Sequence, residues 1–449
     1  MFNNSKVLFL EKSLKSLRLL QRRLFKAVYI GDFKTSLQLQ KLILQSSCAR
    51  LLAIKYVTHS SFKKRFFSID SKVNLTFMER FDLNEYLKRN YNNWNFQSSS
   101  NFSIVQDNGS IQQFQKFTIF DSVWQYLVKF SIEPAHEALF HPNNFGFRLS
   151  YNVFDAQNFI ILNLNKYSFG NQKRILKLKV LDTLVFYNKH YLLEKIIVPR
   201  SIKLSLSRLF LKGFFLNFDF QANDNIDFSS LIFNILLDGV EGFLSSIRYG
   251  NNIVYFLKPF ENEKDLVDKI ISFFNFRGVN SDSYNFLFVF PHQGFDFLIW
   301  HFIVRFNNVF VIPSQVNYQS FLFRVKRIIN NSNYGSIVKV TKLYPIIKEW
   351  KLYHRNSYLK GKKFSLFFLK KRAFKVFSKE ARQDFFSSKR LLDRCFFIIN
   401  SYEKSKLKLE TFSVLPYSHV NFCLYKNQNK IKKFFQCIHC GMNLLNEFC

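Results

Sequence analysis

Apolar residues recur at helical spacing near both ends of this chain, and that periodicity constrains its fold more than any other feature. Near the amino terminus Leu17, Leu20, Leu24 and Ala27 share one helical face. Around residue 350, Ile346, Ile347, Trp350 and Tyr353 form a second such stripe, which leaves Lys348, Lys351 and Arg355 to point outward. The chain up to about Leu52 therefore reads as helices. From Thr58 to Lys116 it turns polar, with Asn and Ser concentrated between Asn90 and Ser103, and reads as loops. Order is expected to return from Phe117 to Leu164. No stretch reaches the ~18–20 uninterrupted apolar residues of a spanning helix. Even the greasy run from Phe286 to Ile312 contains His292, Asp296, His301 and Arg305, so no membrane partner is expected.

Charge narrows the choice of partner. The 449 residues carry 65 Lys+Arg against 31 Asp+Glu, a formal charge of +34, well beyond what solubility needs and suited to a polyanion. The basic residues are interleaved with aromatics, which make up 18% of the chain, so phosphate contacts can be combined with stacking on unpaired bases. Most of the 59 Phe must still be core. Apolar content of 48% is ample for the two to three domains that this length suggests. Six scattered Cys argue for a reducing compartment and against a disulfide framework.

Several short blocks then appear in a specific order. Leu20-Gln21-Arg22-Arg23-Leu24-Phe25-Lys26-Ala27 comes first, and Glu133-Pro134-Ala135-His136-Glu137-Ala138 with Pro142-Asn143-Asn144-Phe145-Gly146-Phe147-Arg148 follows. Next come Phe228 to Glu241, the pentapeptide Arg248-Tyr249-Gly250-Asn251-Asn252, Gly294-Phe295-Asp296-Phe297-Leu298, and finally Leu343-Tyr344-Pro345-Ile346-Ile347-Lys348-Glu349-Trp350-Lys351-Leu352-Tyr353-His354-Arg355. In this order the blocks resemble the reverse transcriptases and maturases encoded inside group II introns, most closely the divergent maturases of euglenoid-type plastids. The resemblance covers nearly the whole chain.

That resemblance implies an α+β fold with right-hand fingers and palm, an antiparallel palm sheet, and a helical thumb or domain X. It divides the chain into an amino-terminal extension and fingers (1–165), a palm (166–312), a thumb (313–395) and a basic tail (396–449). It also makes 248–252 an active-site turn in which Asn251 and Asn252 replace two aspartates. Counting back from Tyr191-Leu192-Leu193-Glu194-Lys195 puts Lys179 at the third catalytic carboxylate. Asp182 is the rival, but it is three residues out of register and on a strand would face the other side. Polymerisation needs two metal ions held by anionic oxygens, and a neutral amide is a poor substitute. The Gly-rich grip of the family reads Asn223-Asp224-Asn225-Ile226 here, and Arg148 is followed by Leu149-Ser150 instead of Pro-Gly. No catalytic residue is therefore assigned.

The expectation is a non-catalytic maturase that grips group II intron RNA within a precursor mRNA. The residues expected to touch RNA are Arg22, Arg23, Lys26, Arg148, Lys348, Lys351, Tyr353, His354, Arg355, Lys370, Lys371 and Arg372. An amphipathic helix with a merely solvated basic face would give the same pattern around residue 350. The alternatives are an active reverse transcriptase and a generic basic RNA binder. Cys437-Ile438-His439-Cys440-Gly441 resembles the opening knuckle of a zinc-dependent nuclease domain, but Cys437 and Cys440 supply only two of four ligands. Cys423, Cys449 and His439 are the candidates to complete a zinc site; no other cofactor is expected. The abundance of Phe, Asn, Lys, Ile and Tyr fits an AT-rich organellar genome, with the plastid stroma as the expected compartment and the mitochondrion as the alternative. Relatives in the family dimerise through the fingers, which leaves a homodimer open, although no residue here fixes it.

Overall fold

Leu17, Gln21, Leu24 and Val28 lie buried along one side of the first helix, α1 (Phe2–Ile30), so its apolar stripe faces inward as the periodicity predicts. The computed structural model describes residues 2–58, 75–97, 99–105, 111–149, 151–218, 227–359, 366–380 and 385–396. Helices α2 (Phe33–Gln45) and α3 (Ser47–Thr58) follow, α2 opened by the Asp32 carboxylate accepting from Thr35 N. The next stretch departs from expectation. A Thr76/Glu79 capping box starts helix α4 (Phe77–Asn90), and the polar segment beyond it forms a hairpin, β1 (Ser100–Val105) with β2 (Ile111–Lys116). Their alternation is confined to Phe102, Ile104 and Phe114, too short a signal to stand out from the Asn- and Ser-rich surroundings.

Helix α5 (Ile119–Glu137) is buried on nearly every side and α1, α2 and α3 pack around it. Then come α6 (Val153–Leu164), β3 (Arg174–Val180), β4 (Thr183–Leu184), α7 (Lys189–Lys195), α8 (Arg200–Leu211), β5 (Leu216–Asn217) and α9 (Phe228–Leu237). The hairpin β6 (Ser246–Tyr249) and β7 (Asn252–Leu257), helix α10 (Glu263–Phe276) and β8 (Tyr284–Val289) complete the central part. Strands β6, β7, β3 and β8 form a four-stranded antiparallel sheet in that order. Side chains alternate across it. Leu176, Leu178, Val180, Ile253, Tyr255 and Leu257 join the large core that the amino-terminal helices share, while Ile175, Ile247, Val254 and Phe256 pack on the other face.

That second face is covered by α6 and by a three-stranded antiparallel sheet of β9 (Phe295–Phe297), β10 (Trp300–Arg305) and β11 (Asn308–Pro313). Helices α11 (Gln315–Ile329), α12 (Ser336–Tyr353), α13 (Phe367–Glu380) and α14 (Phe385–Cys395) follow, with a core of their own that includes Phe321, Val325, Leu343, Ile347, Trp350 and Phe377. The architecture is mixed α and β with small antiparallel sheets, as expected at that level. Among the described residues no helix is long and apolar enough to cross a membrane. Asn223 to Ile226 and the cysteines of the carboxyl end, Cys437 and Cys440 included, lie outside the described residues.

Candidate nucleic-acid interface

Strands β6 and β7 are joined by two residues, Gly250 and Asn251, between the paired Tyr249 and Asn252. Gly250 has φ of +63°, as a tight hairpin with glycine at the first central position requires. Lys179 lies directly across from Asn252 in the β3 and β7 pair. The side chains at this end of the sheet satisfy one another. Asn251 Nδ2 donates to the Val180 carbonyl at 2.7 Å and to Asp182 Oδ1 at 2.6 Å, and Asn252 Nδ2 donates to Asn251 Oδ1 at 2.9 Å. Lys179 Nζ stands 3.9 Å from the same Asp182 oxygen.

Asp182 was expected to face away, and here the structure corrects the sequence reading. Strand β3 ends at Val180, and Leu181 N bonds the Ser283 carbonyl at 2.7 Å, so the chain bends and side-chain alternation stops before position 182. The bend returns the Asp182 carboxylate to the hairpin. The resulting donor set does not fit a pair of divalent ions. Two positions are neutral amides, a third is a cation, and the Asp182 carboxylate is already engaged by an amide N–H. Hard cations prefer several anionic oxygens free to turn toward them.

The frame around the hairpin is held by buried polar contacts. Phe145 N donates to the Arg248 carbonyl at 2.8 Å and Arg248 N to the Asn143 carbonyl at 3.0 Å, which ties the 143–148 segment to β6. Gly146 sits so close that a Cβ there would lie 2.0 Å from Gly250 N. The fully buried Arg248 guanidinium pairs with Glu241 and donates to Asn234 Oδ1 at 2.8 Å, while Asn234 Nδ2 donates to the Gly146 carbonyl at 2.8 Å. A buried charge needs such a complete set of partners.

Arg148, expected to touch RNA, belongs to this frame instead. Its Nε contacts both Glu137 oxygens at 3.0 Å, its Nη2 reaches Glu137 Oε1 at 2.8 Å, and its Nη1 donates to the Asn144 carbonyl at 2.7 Å. The ring of Tyr151 covers the guanidinium, 4.4 Å from its centroid. With its donors committed inside the protein, Arg148 has none aimed at a ligand.

The residues expected around position 350 divide similarly. Tyr353 packs on Trp300 at 4.8 Å between ring centroids and on Phe154 at 5.9 Å, joining α12 to the core beneath the four-stranded sheet. His354 is buried against Trp350 with Nε2 3.2 Å from Asn317 Oδ1, and burial lowers its pKa to about 4, so it is neutral at pH 7. His354 is withdrawn from solvent, while Tyr353 stays half-buried. Lys351 Nζ donates to the Phe396 carbonyl at 3.2 Å, and burial, then the nearby Lys370, lower its pKa to about 8. Arg355 lies over the Phe154 ring at 4.3 Å, and its buried Nε has no hydrogen-bond partner. Lys348 is half-buried beside the Tyr344 ring, and Lys370 beside that of Phe396.

Five of the expected RNA contacts are exposed cations. Arg22, Arg23 and Lys26 lie on the outer face of α1, and Lys371 and Arg372 on that of α13. Arg372 Nε donates to Asn330 Oδ1 at 3.0 Å, which links α13 to the end of α11. Next to it, α11 exposes Arg324, Lys326 and Arg327, which the sequence reading did not single out. Their signal was present: Phe321, Val325 and Ile329 are the buried stripe of α11, so the cations between them must point outward.

Comparison with known proteins agrees with this architecture. A family model described as the N-terminal domain of reverse transcriptase matches residues 9–87. A protein called maturase-like protein 1 from Euglena gracilis is 46% identical over 444 residues, covering 97% of this chain and 96% of the relative. Its namesake from Euglena longa is 46% identical over 439 residues, covering 95% of each.

Proposed function

The chain belongs to the maturase-like protein family of euglenoids, degenerate relatives of reverse transcriptases, and from that premise we propose that it is an RNA-binding splicing cofactor for organellar group II introns, without polymerase chemistry. In this reading the sheet of β6, β7, β3 and β8 is the palm, the helices before it build the fingers, and α11 to α14 form the thumb or domain X. The plastid is the compartment that suits the euglenoid relatives and the AT-driven composition. The partner is intron RNA within a precursor mRNA, gripped at phosphates by the outer cations of α1, α11 and α13, while the ribozyme performs transesterification.

One observation carries the reading: Asn251, Asn252, Asp182 and Lys179 satisfy each other at the hairpin where a polymerase would hold its metals. The frame that positions the hairpin is intact, so the fold outlasts the chemistry. Binding the folded intron in preference to the unfolded one shifts the RNA equilibrium toward the splicing-competent form. Primer extension by the purified protein on a primed RNA template tests the catalytic half. No cDNA is expected with Mg²⁺ or Mn²⁺, and cDNA that disappears on changing Asp182 would overturn it.

A further inference from the structure

Two surface loops meet at the edge of the molecule away from the hairpin. One, residues 166–172, leads from α6 into β3; the other, Phe306 and Asn307, is the tip between β10 and β11. Asn171 Nδ2 donates to Asn307 Oδ1 at 2.5 Å and fastens them together. Between them opens a cleft of about 240 Å³ with Leu164 and Val304 as its apolar floor and Lys166, Phe169, Gln172 and Asn307 along its rim. Gly170 keeps the first loop tight against α6, since a Cβ there would lie 2.0 Å from the Leu164 carbonyl oxygen.

Folding does not explain why large rings stand exposed on these loops. Tyr167, Phe169 and Phe306 are 89%, 70% and 96% exposed, so three large rings stand in water on loops that touch. The backbone fixes where they stand: Phe306 and Asn307, with φ of +48° and +59°, form the two-residue hairpin turn that needs positive φ at both positions, and Phe169, with φ of +54°, is the left-handed cap of the Lys166–Ser168 turn. Clustered exposed rings concentrate at binding sites. The local charge is one-sided as well: Lys166 and Arg305 are exposed, and neither 166–173 nor 304–309 contains an acidic residue.

We propose that the two loops form a stacking clamp for an unpaired nucleotide of a single-stranded RNA segment, the base lying on the exposed rings of Tyr167, Phe169 and Phe306 and its phosphates meeting Lys166 and Arg305. The proposal rests on the reading that the partner is RNA, and it adds where an unpaired base is held. The cleft is smaller than the 300–1,000 Å³ typical of sites for whole small molecules; Phe169 lines it, while Tyr167 and Phe306 stand exposed on the two loops that bound it. Aromatic stacking tolerates any base, so the clamp favours unpaired over paired RNA without reading sequence.

The test compares the full-length protein with the Tyr167→Ala/Phe306→Ala double variant and with Phe306→Trp. The probes are a short single-stranded oligoadenylate, a fully paired RNA duplex of equal length, a group II intron, and an unrelated structured RNA of the intron's length. Both changed positions are exposed, and unchanged circular dichroism and melting establish that the variants fold. The double variant is expected to lose about tenfold in affinity for the single strand while its duplex affinity stays the same, and Phe306→Trp is expected to retain wild-type binding. Equal single-strand affinity for wild type and double variant overturns the clamp, and so does an equal loss on single strand and duplex. Retained RNA affinity with a change in oligomeric state on gel filtration also overturns it and makes the rings a protein contact. The maturase reading is judged separately, by wild-type preference for the intron over the unrelated RNA; losing that preference leaves the oligoadenylate result intact.

Discussion

The Asn251 side-chain amide donates to the Asp182 carboxylate at 2.6 Å, so the acid beside this hairpin is held by a neutral donor. Placing a carboxylate at position 251 should therefore harm the protein. Asn251→Asp would set two carboxylates in contact in a buried site and turn a carboxylate oxygen toward the Val180 carbonyl. We expect a loss of about 1–3 kcal/mol at pH 7, measured by denaturant unfolding. The deficit should shrink on acidification, because one of the two acids then takes up a proton. Asn251→Asp/Asn252→Asp should still extend no primer while Lys179 remains, as a primer-extension assay would register.

Arg148 should behave as a structural residue. Arg148→Ala would leave Glu137 buried without its partner, at a cost of about 3–5 kcal/mol. Arg148→Lys should recover little of it, because an ammonium cannot reproduce the fork that engages both Glu137 oxygens and two carbonyls. Thermal melting of the three proteins gives the order directly.

Acid sensitivity is expected from His136. Its ring is fully buried, its Nε2 accepts from Ile197 N at 3.2 Å, and burial lowers its pKa to about 3, with Asp238 opposing the shift and Lys195 adding to it. The unfolded chain protonates His136 near its ordinary value of 6.5 and the folded chain does not. Its stabilising contribution is thus complete above pH 6.5 and is lost as pH falls from there toward 3. Between pH 7 and 5 the loss should be about 1–2 kcal/mol, and His136→Gln, which keeps an acceptor for Ile197 N, should flatten that part of the profile. The neighbouring Lys195, with its pKa lowered to about 8, titrates in a separate alkaline window.

The outward cations should set the salt dependence of RNA binding. Neutralising Lys371 and Arg372 to Gln is expected to weaken intron binding and to reduce the slope of log K against log salt by about one for each phosphate left without its cation. Lys351→Gln, by contrast, should leave that slope unchanged, because Lys351 Nζ is tied to the Phe396 carbonyl. Filter binding at several salt concentrations separates the two classes.

Periodic features of this protein were legible in its sequence. The buried stripes of α1 and α12 follow from apolar spacing, and the outward cations of α1 follow with them, whereas Lys348, Lys351 and Arg355, read as outward from the α12 stripe, are half-buried. The hairpin β1 and β2 was not legible, because its alternation is confined to Phe102, Ile104 and Phe114. Asp182 was misplaced because strand alternation was extended past the point where β3 ends, and a main-chain bond from Leu181 to Ser283 has no signature in side-chain order. Arg148 was misread because an arginine in a basic protein looks outward until its carboxylate is found, and Glu137 lies across a bend that only the fold reveals. His354 was misread for the opposite reason. An imidazole beside a basic stripe resembles part of an RNA-binding set, yet here it is buried against Trp350 and Asn317, while the neighbouring Tyr353 is half-buried on Trp300 and Phe154.

Cross-linking the protein to RNA with ultraviolet light in its native organelle, followed by capture and sequencing of the attached RNA, tests the central claim most directly. Reads concentrated on one or a few group II introns are the predicted result. Reads spread over rRNA and mRNA in proportion to abundance would contradict it and leave a general basic RNA-binding protein on a reverse-transcriptase-derived scaffold.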